Sequence, residues 1–248
     1  LPFAALALVV GFAAHSGTAV AAAAVLLAAA LLAYVGTAFV TLRAPAPDPT
    51  SAAIARALAI TLGALAATAL LGALLGYAYG RGDAALLALA PSHALLGIAA
   101  WLTVLVTGVS ARTFRPMLGA RSRWPLAHVA AGGGLTVGAL LAALAAPWSP
   151  VLLRGGVALT AAGALVYLVD GLDILRRADT PHAAPRAFVG ASLLWLALAA
   201  VGALAVSWGA PFGRATVVVA LAGWLGQIVN AHLHHLGVRV LATLVLGE

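Results

Sequence analysis

Residues 18–43 read TAVAAAAVLLAAALLAYVGTAFVTLR, with no charge before the closing arginine. A membrane-spanning helix needs about 20 mostly apolar residues, and this run exceeds that. Alanine and leucine dominate it, alternation is absent, and it is too long for a strand. Runs of the same kind recur at 51–79, 84–114, 125–146, 151–176, 186–208 and 212–246, with a shorter one at 2–14. Breakers separate them, among them Pro45-Ala-Pro47-Asp-Pro49, Arg81-Gly-Asp83, Pro147-Trp-Ser-Pro150 and Gly209-Ala-Pro211. The chain is therefore predicted to be an all-α integral membrane protein of about eight transmembrane helices, with the lipid bilayer as its main partner. The first run follows Leu1 without a methionine or basic leader. It does not read as a signal peptide, and the numbering is expected to begin inside a longer chain.

Composition agrees. Of 248 residues, 64% are hydrophobic and 8% charged, with a mean hydropathy of +1.11. Soluble domains carry about 25% charged residues, so a soluble enzyme, a disordered region and a nucleic-acid binder are excluded. The net charge of +7 comes from 13 arginines and no lysine. These arginines fall in short loops. Arg43, Arg56, Arg112, Arg115, Arg121, Arg123, Arg176, Arg177, Arg186 and Arg239 belong to one side, against Arg81, Arg154 and Arg214 on the other. Positive charge marks the cytoplasmic face. Both ends are thus expected to be cytoplasmic, in a prokaryotic inner (plasma) membrane.

The two halves resemble each other at an offset of about 123 to 133 residues. Leu1-Pro2 pairs with Trp124-Pro125, Leu32-Ala-Tyr34 with Leu165-Val-Tyr167, Leu42-Arg43 with Leu175-Arg176, and Ala100-Trp101-Leu102 with Gly223-Trp224-Leu225. Four helices separate equivalent positions, so the halves run in the same direction, related by an axis along the membrane normal. Two parallel four-helix repeats, 1–123 and 124–248, are expected.

Chemistry must come from few residue types. With no cysteine there is no disulfide, thiolate metal site or CxxCH haem attachment, and with no lysine no retinal Schiff base. Seven histidines remain. His93 lies just inside the outer end of the fourth helix and His15 at the outer end of the first, at a shared expected depth. An imidazole in hydrocarbon needs partners for both nitrogens. The bland alternatives are a capping or packing role for His93 and an interfacial turn for His15. In Asn230-Ala-His232-Leu-His234-His235, His232 and His235 share a helix face, with Arg239 one turn further. That face suits a metal or a second haem site, with Arg239 on an anion. The alternative is a polar belt at the interface. His128 is expected at similar depth, and His128 and His234 are candidate metal ligands. His182 lies in a loop. Asp170 and Asp173, just before Arg176-Arg177, read as an end-of-helix charge cluster or as a proton entry point.

The fourth helix carries a resemblance. His93-Ala-Leu-Leu-Gly-Ile-Ala-Ala-Trp101, followed by Gly108 and Arg115-Pro116-Met117, resembles the second helix of subunit I of the haem-copper oxidase superfamily. The motif covers about 25 residues. The resemblance implies that His93 is an axial ligand of a low-spin haem b, with His15 as the in-chain candidate for the other. It implies a membrane redox protein passing electrons to or from a quinone or a partner haem, and other membrane subunits or a second copy as partners. Whether such a chain is itself an enzyme stays open. Two alternatives stand beside it. One is a cofactor-free structural subunit of a larger respiratory complex. The other is a histidine-based transporter of copper or another metal.

Overall fold

The structure is a computed structural model. It describes residues 1–43, 49–180 and 183–246, with the backbone alone at 49–54, 56–57, 125 and 237–246. The predicted His182 lies outside the described residues, and so does the side chain of Arg239.

α1 (Pro2–Ala13) and α2 (Gly17–Leu42) meet in a tight turn, followed by α3 (Pro49–Arg81). α4 (Ala84–Leu87), α5 (Ala90–Ala94), the π-helical π1 (Leu95–Thr103) and α6 (Val104–Leu118) form one long span. α7 (Pro125–Ala145), α8 (Pro150–Arg176) and α9 (Ala183–Ser207) come next. α10 (Gly213–Val218), π2 (Val219–Leu225) and α11 (Gly226–Leu246) close the chain. Caps follow the sequence: Ser16 Oγ accepts the Ala19 N–H at 3.3 Å, and Asp83 Oδ1 accepts the Leu86 N–H at 3.1 Å. No strand occurs among the described residues.

The protein is an all-α integral membrane protein. Among the described residues, seven helical stretches are long and apolar enough to cross a bilayer. The eighth candidate, α1, has 12 residues and reaches only about 18 Å at 1.5 Å per residue. Large apolar side chains point outward, with Phe3, Leu126 and Leu144 exposed by 86, 83 and 72%. Lipid, not water, suits that surface.

The chain forms two compact units, Leu1–Leu105 with Ala139–Leu153, and Val106–Gly138 with Arg154–Glu248. The divisions fall inside α6, α7 and α8. In the first unit Val35, Leu62 and Leu65 are buried with Leu31, Phe39 and Trp101 packed on them. α2 and α3 approach closely there, because a Cβ on Gly80 would meet the Gly17 carbonyl oxygen at 2.7 Å. In the second unit the centre is aromatic, with Phe114, Tyr167 and Trp224 buried. There α7 and α8 pack at glycine, since a Cβ on Gly163 would meet the Leu135 nitrogen at 2.6 Å.

The two π-helical segments each hold one of the paired tryptophans, Trp101 in π1 and Trp224 in π2. The widened turn shows in side-chain bonding: the Thr103 hydroxyl donates to the Ile98 carbonyl, five residues back, at 2.8 Å. The paired tyrosines differ in surroundings, Tyr34 being exposed and Tyr167 buried.

Candidate functional site: a buried histidine–aspartate pair

In the second unit α8 carries Asp170 inside an apolar stretch, Tyr167-Leu-Val-Asp170-Gly-Leu. The residue is 1% exposed. Leu193 of α9 presses on the adjoining Gly171, where a Cβ would meet its Cδ2 at 2.9 Å. A buried carboxyl needs partners, and both of its oxygens have one. Oδ1 accepts the Ser122 hydroxyl at 2.6 Å, and Oδ2 lies 3.1 Å from His128 Nδ1. His128 stands in the first turn of α7, and its Nε2 lies 2.8 Å from the Thr107 carbonyl of α6.

These contacts fix the protons. A carbonyl only accepts, so His128 Nε2 carries a hydrogen and donates it to Thr107. Nδ1 and Asp170 Oδ2 then share one proton. The pair is either imidazolium with carboxylate or imidazole with carboxylic acid. Both forms are neutral overall. The Ser122 hydroxyl accepts the Trp124 N–H at 3.0 Å, which turns its own hydrogen toward Asp170.

Aromatic and hydroxyl groups hold the pair from within. The Tyr167 hydroxyl donates to Ser110 Oγ at 2.9 Å, and Ser110 donates to the Thr107 carbonyl at 2.8 Å. One carbonyl oxygen thus receives both Ser110 and His128. The Tyr167 ring stands edge-on to His128 at 5.6 Å and to Trp224 at 5.9 Å. Above the pair, the α6–α7 and α8–α9 loops touch. Gly119, at φ +73°, leaves no room for a Cβ beside the Asp179 carbonyl. Arg177 pairs with Asp173 and donates to the Arg121 carbonyl at 2.9 Å. Asp170 and Asp173 are therefore not one solvated cluster. Asp173 belongs to Arg177 at the rim, and Asp170 belongs to His128 below it.

The histidine triplet does not converge. His232 Nδ1 donates to the Ile228 carbonyl at 2.8 Å, and Nε2 meets the Thr113 hydroxyl at 2.8 Å. His234 stacks on Phe188 at 5.1 Å. His128 joins Asp170 and not this group. Among the described residues no three His, Asp or Glu side chains gather as a metal set.

In the first unit, the His93 ring packs on α3, where a Cβ at Gly72 would meet its Cε1 at 3.0 Å. Its Nδ1 and the neighbouring Ser92 Oγ are buried without a hydrogen-bond partner. His15 lies exposed in the α1–α2 turn at φ +50°. That turn leads into Gly17, which abuts Gly80 of α3. Gly80 and Gly72 are eight residues apart, about 12 Å along the helix. The two histidines therefore stand at different levels of α3, contrary to the shared depth expected. A haem clamped between His15 and His93 does not fit this arrangement. His93 meets one requirement of such a group, a buried nitrogen in want of a partner, and Gly72 supplies its cradle.

No protein-family model, curated protein or solved structure matches the chain.

The pairing of His128 with Asp170 escaped the sequence because 42 residues separate them. The readable signal was Asp170 itself, an acid with apolar neighbours inside a span, which by default marks function.

Proposed function

We propose that this chain is a membrane subunit that takes up and releases protons at the His128–Asp170 pair from its arginine-rich side. It would serve a larger electron-transferring membrane assembly of the kind its His93 helix resembles. The observation that carries this is the 3.1 Å contact between the Asp170 carboxyl and the His128 imidazole, both largely withdrawn from solvent, with the Ser122 hydroxyl leading outward. Ser122 is partly exposed. With one lone pair on Trp124 N–H, its oxygen has a second for water, so it can accept a proton while passing its own to Asp170 Oδ1. Inward passage ends at the Thr107 carbonyl, which has no hydrogen to give. The pair therefore exchanges protons with one side only.

Uptake of a second proton turns the pair from neutral to singly positive. In a low-dielectric site that is costly unless negative charge arrives nearby. An electron settling on a partner's redox centre provides such charge, so electron arrival and proton uptake are linked.

Infrared difference spectra of the protein in vesicles, recorded across pH, test this. A carboxylic C=O stretch is expected to titrate and to vanish in Asp170→Asn, with His128→Gln moving its midpoint. If Asp170 keeps one protonation state wherever the protein is folded, the proposal fails.

A second reading is favoured by the partnerless His93 Nδ1. In it His93 supplies one ligand to a haem b whose other ligand comes from another chain. The haem would supply one-electron transfer, and Gly72 would seat the imidazole. A reduced-minus-oxidised spectrum of purified protein tests it. Low-spin haem bands lost in His93→Ala support this reading, and their absence from the wild type in its native membrane sinks it.

A further inference from the structure

We propose that the groove between the end of α8 and the start of α9 binds the phosphate headgroup of an anionic phospholipid. The groove is an open depression of about 560 Å³ lined by Leu175, Arg176, Thr180, Ala183, Arg186 and Ala187. Its two arginines are exposed, and neither has a carboxylate partner among the described residues. Arg177, by contrast, is neutralised by Asp173. The Asp173 charge also reaches Arg176, but neither Arg176 nor Arg186 is in a close ion pair among the described residues, and the groove presents one exposed guanidinium from each wall. Planar guanidinium forks match phosphate oxygens in pairs.

The remaining lining decides between a lipid and a free ion. Leu175, Ala183 and Ala187 give the groove an apolar flank. They lie on helices that are themselves long and apolar enough to cross the bilayer. A charged mouth over an apolar flank at a helix end fits a headgroup with an acyl chain below it, and basic pockets between spans bind such lipids. Inorganic phosphate shares the headgroup chemistry and has no use for the flank.

The site is independent of His128 and Asp170, so either proposal can fail while the other stands. The test uses the full chain in phosphatidylcholine vesicles with rising fractions of phosphatidylglycerol, reading lipid retention by native mass spectrometry and thermal stability. Retention of phosphatidylglycerol over phosphatidylcholine is expected, reduced about tenfold in R176Q/R186Q and unchanged in R214Q at the other end of the spans. Ala187→Trp keeps both charges, fills the groove and is expected to reduce retention as well, which covers a double variant that misfolds. Equal retention in R176Q/R186Q, or no preference in the wild type, overturns the proposal. So does inorganic phosphate that stabilises the protein in pure phosphatidylcholine as strongly as phosphatidylglycerol does.

Discussion

His128 on α7 and Asp170 on α8 face each other at 3.1 Å between Nδ1 and Oδ2, and the Thr107 carbonyl holds the other ring nitrogen at 2.8 Å. The imidazole is therefore fixed at both ends. It cannot turn away from the carboxyl without giving up Thr107. Side-chain exposures of 13% for His128 and 1% for Asp170 leave little water to replace either contact.

Breaking the pair from one side should be costlier than removing it. Asp170→Asn or His128→Gln leaves the other group without its charged partner, at about 3–5 kcal/mol. Asp170→Leu combined with His128→Phe replaces both by apolar groups and should be markedly less damaging than the two single losses together. Thermal unfolding in detergent micelles, arranged as a double-mutant cycle, measures the coupling.

Tyr167 contributes a ring and a hydroxyl, and these can be separated. In Tyr167→Phe, Ser110 still donates to the Thr107 carbonyl, so the cost should be about 1 kcal/mol. In Tyr167→Ala the contacts with Phe114, His128 and Trp224 also go, and about 3–5 kcal/mol is expected for the loss of a buried aromatic ring. Nitrogen-15 spectra of His128 should show Nε2 still protonated in Tyr167→Phe.

Two glycines on α8 should respond in opposite directions. A Cβ at Gly163 meets the Leu135 nitrogen at 2.6 Å and the Ala131 oxygen at 2.9 Å, whereas a Cβ at Gly155 meets nothing within 4 Å. Gly163→Ala is expected to destabilise by about 1–3 kcal/mol through overpacking. Gly155→Ala should stabilise by up to about 1 kcal/mol, because alanine favours the helix. Melting temperatures of the two variants, measured side by side, check the contrast.

The histidine triplet in the first half of α11 should not load with metal. His232 has both nitrogens engaged and His234 lies on Phe188. Metal content by mass spectrometry is expected to be the same in wild type and His232→Ala/His235→Ala. A stoichiometric metal lost in the double variant would refute this.

The spans were legible because a run such as 18–43 leaves the chain few choices: its backbone must bond within the helix once it enters lipid. The short first run, read at 2–14, matches α1 (Pro2–Ala13), because the breaker at His15-Ser16-Gly17 is visible in the sequence. The histidines were harder. Their spacing places His232 and His235 on one helix face, but a shared face does not say what lies opposite, and Thr113 lies opposite His232. His15 and His93 are expected at one depth because each lies at the outer end of its helix on the positive-inside orientation. Depth, however, depends on where α2 and α4 start beside α3. The π-helical turns have no sequence signature beyond the repeated tryptophan.

The Thr107 carbonyl sits where the hydrogen-bonded groups of two helices meet, receiving from Ser110 and from His128. That oxygen accepts two hydrogen bonds and has no hydrogen of its own to hand on, so under the proposed function it would act as an insulator. A membrane in which every polar chain ran through would leak its gradient. Under the proposed function, a pair that stops at this carbonyl would fill and empty without discharging the voltage across the bilayer.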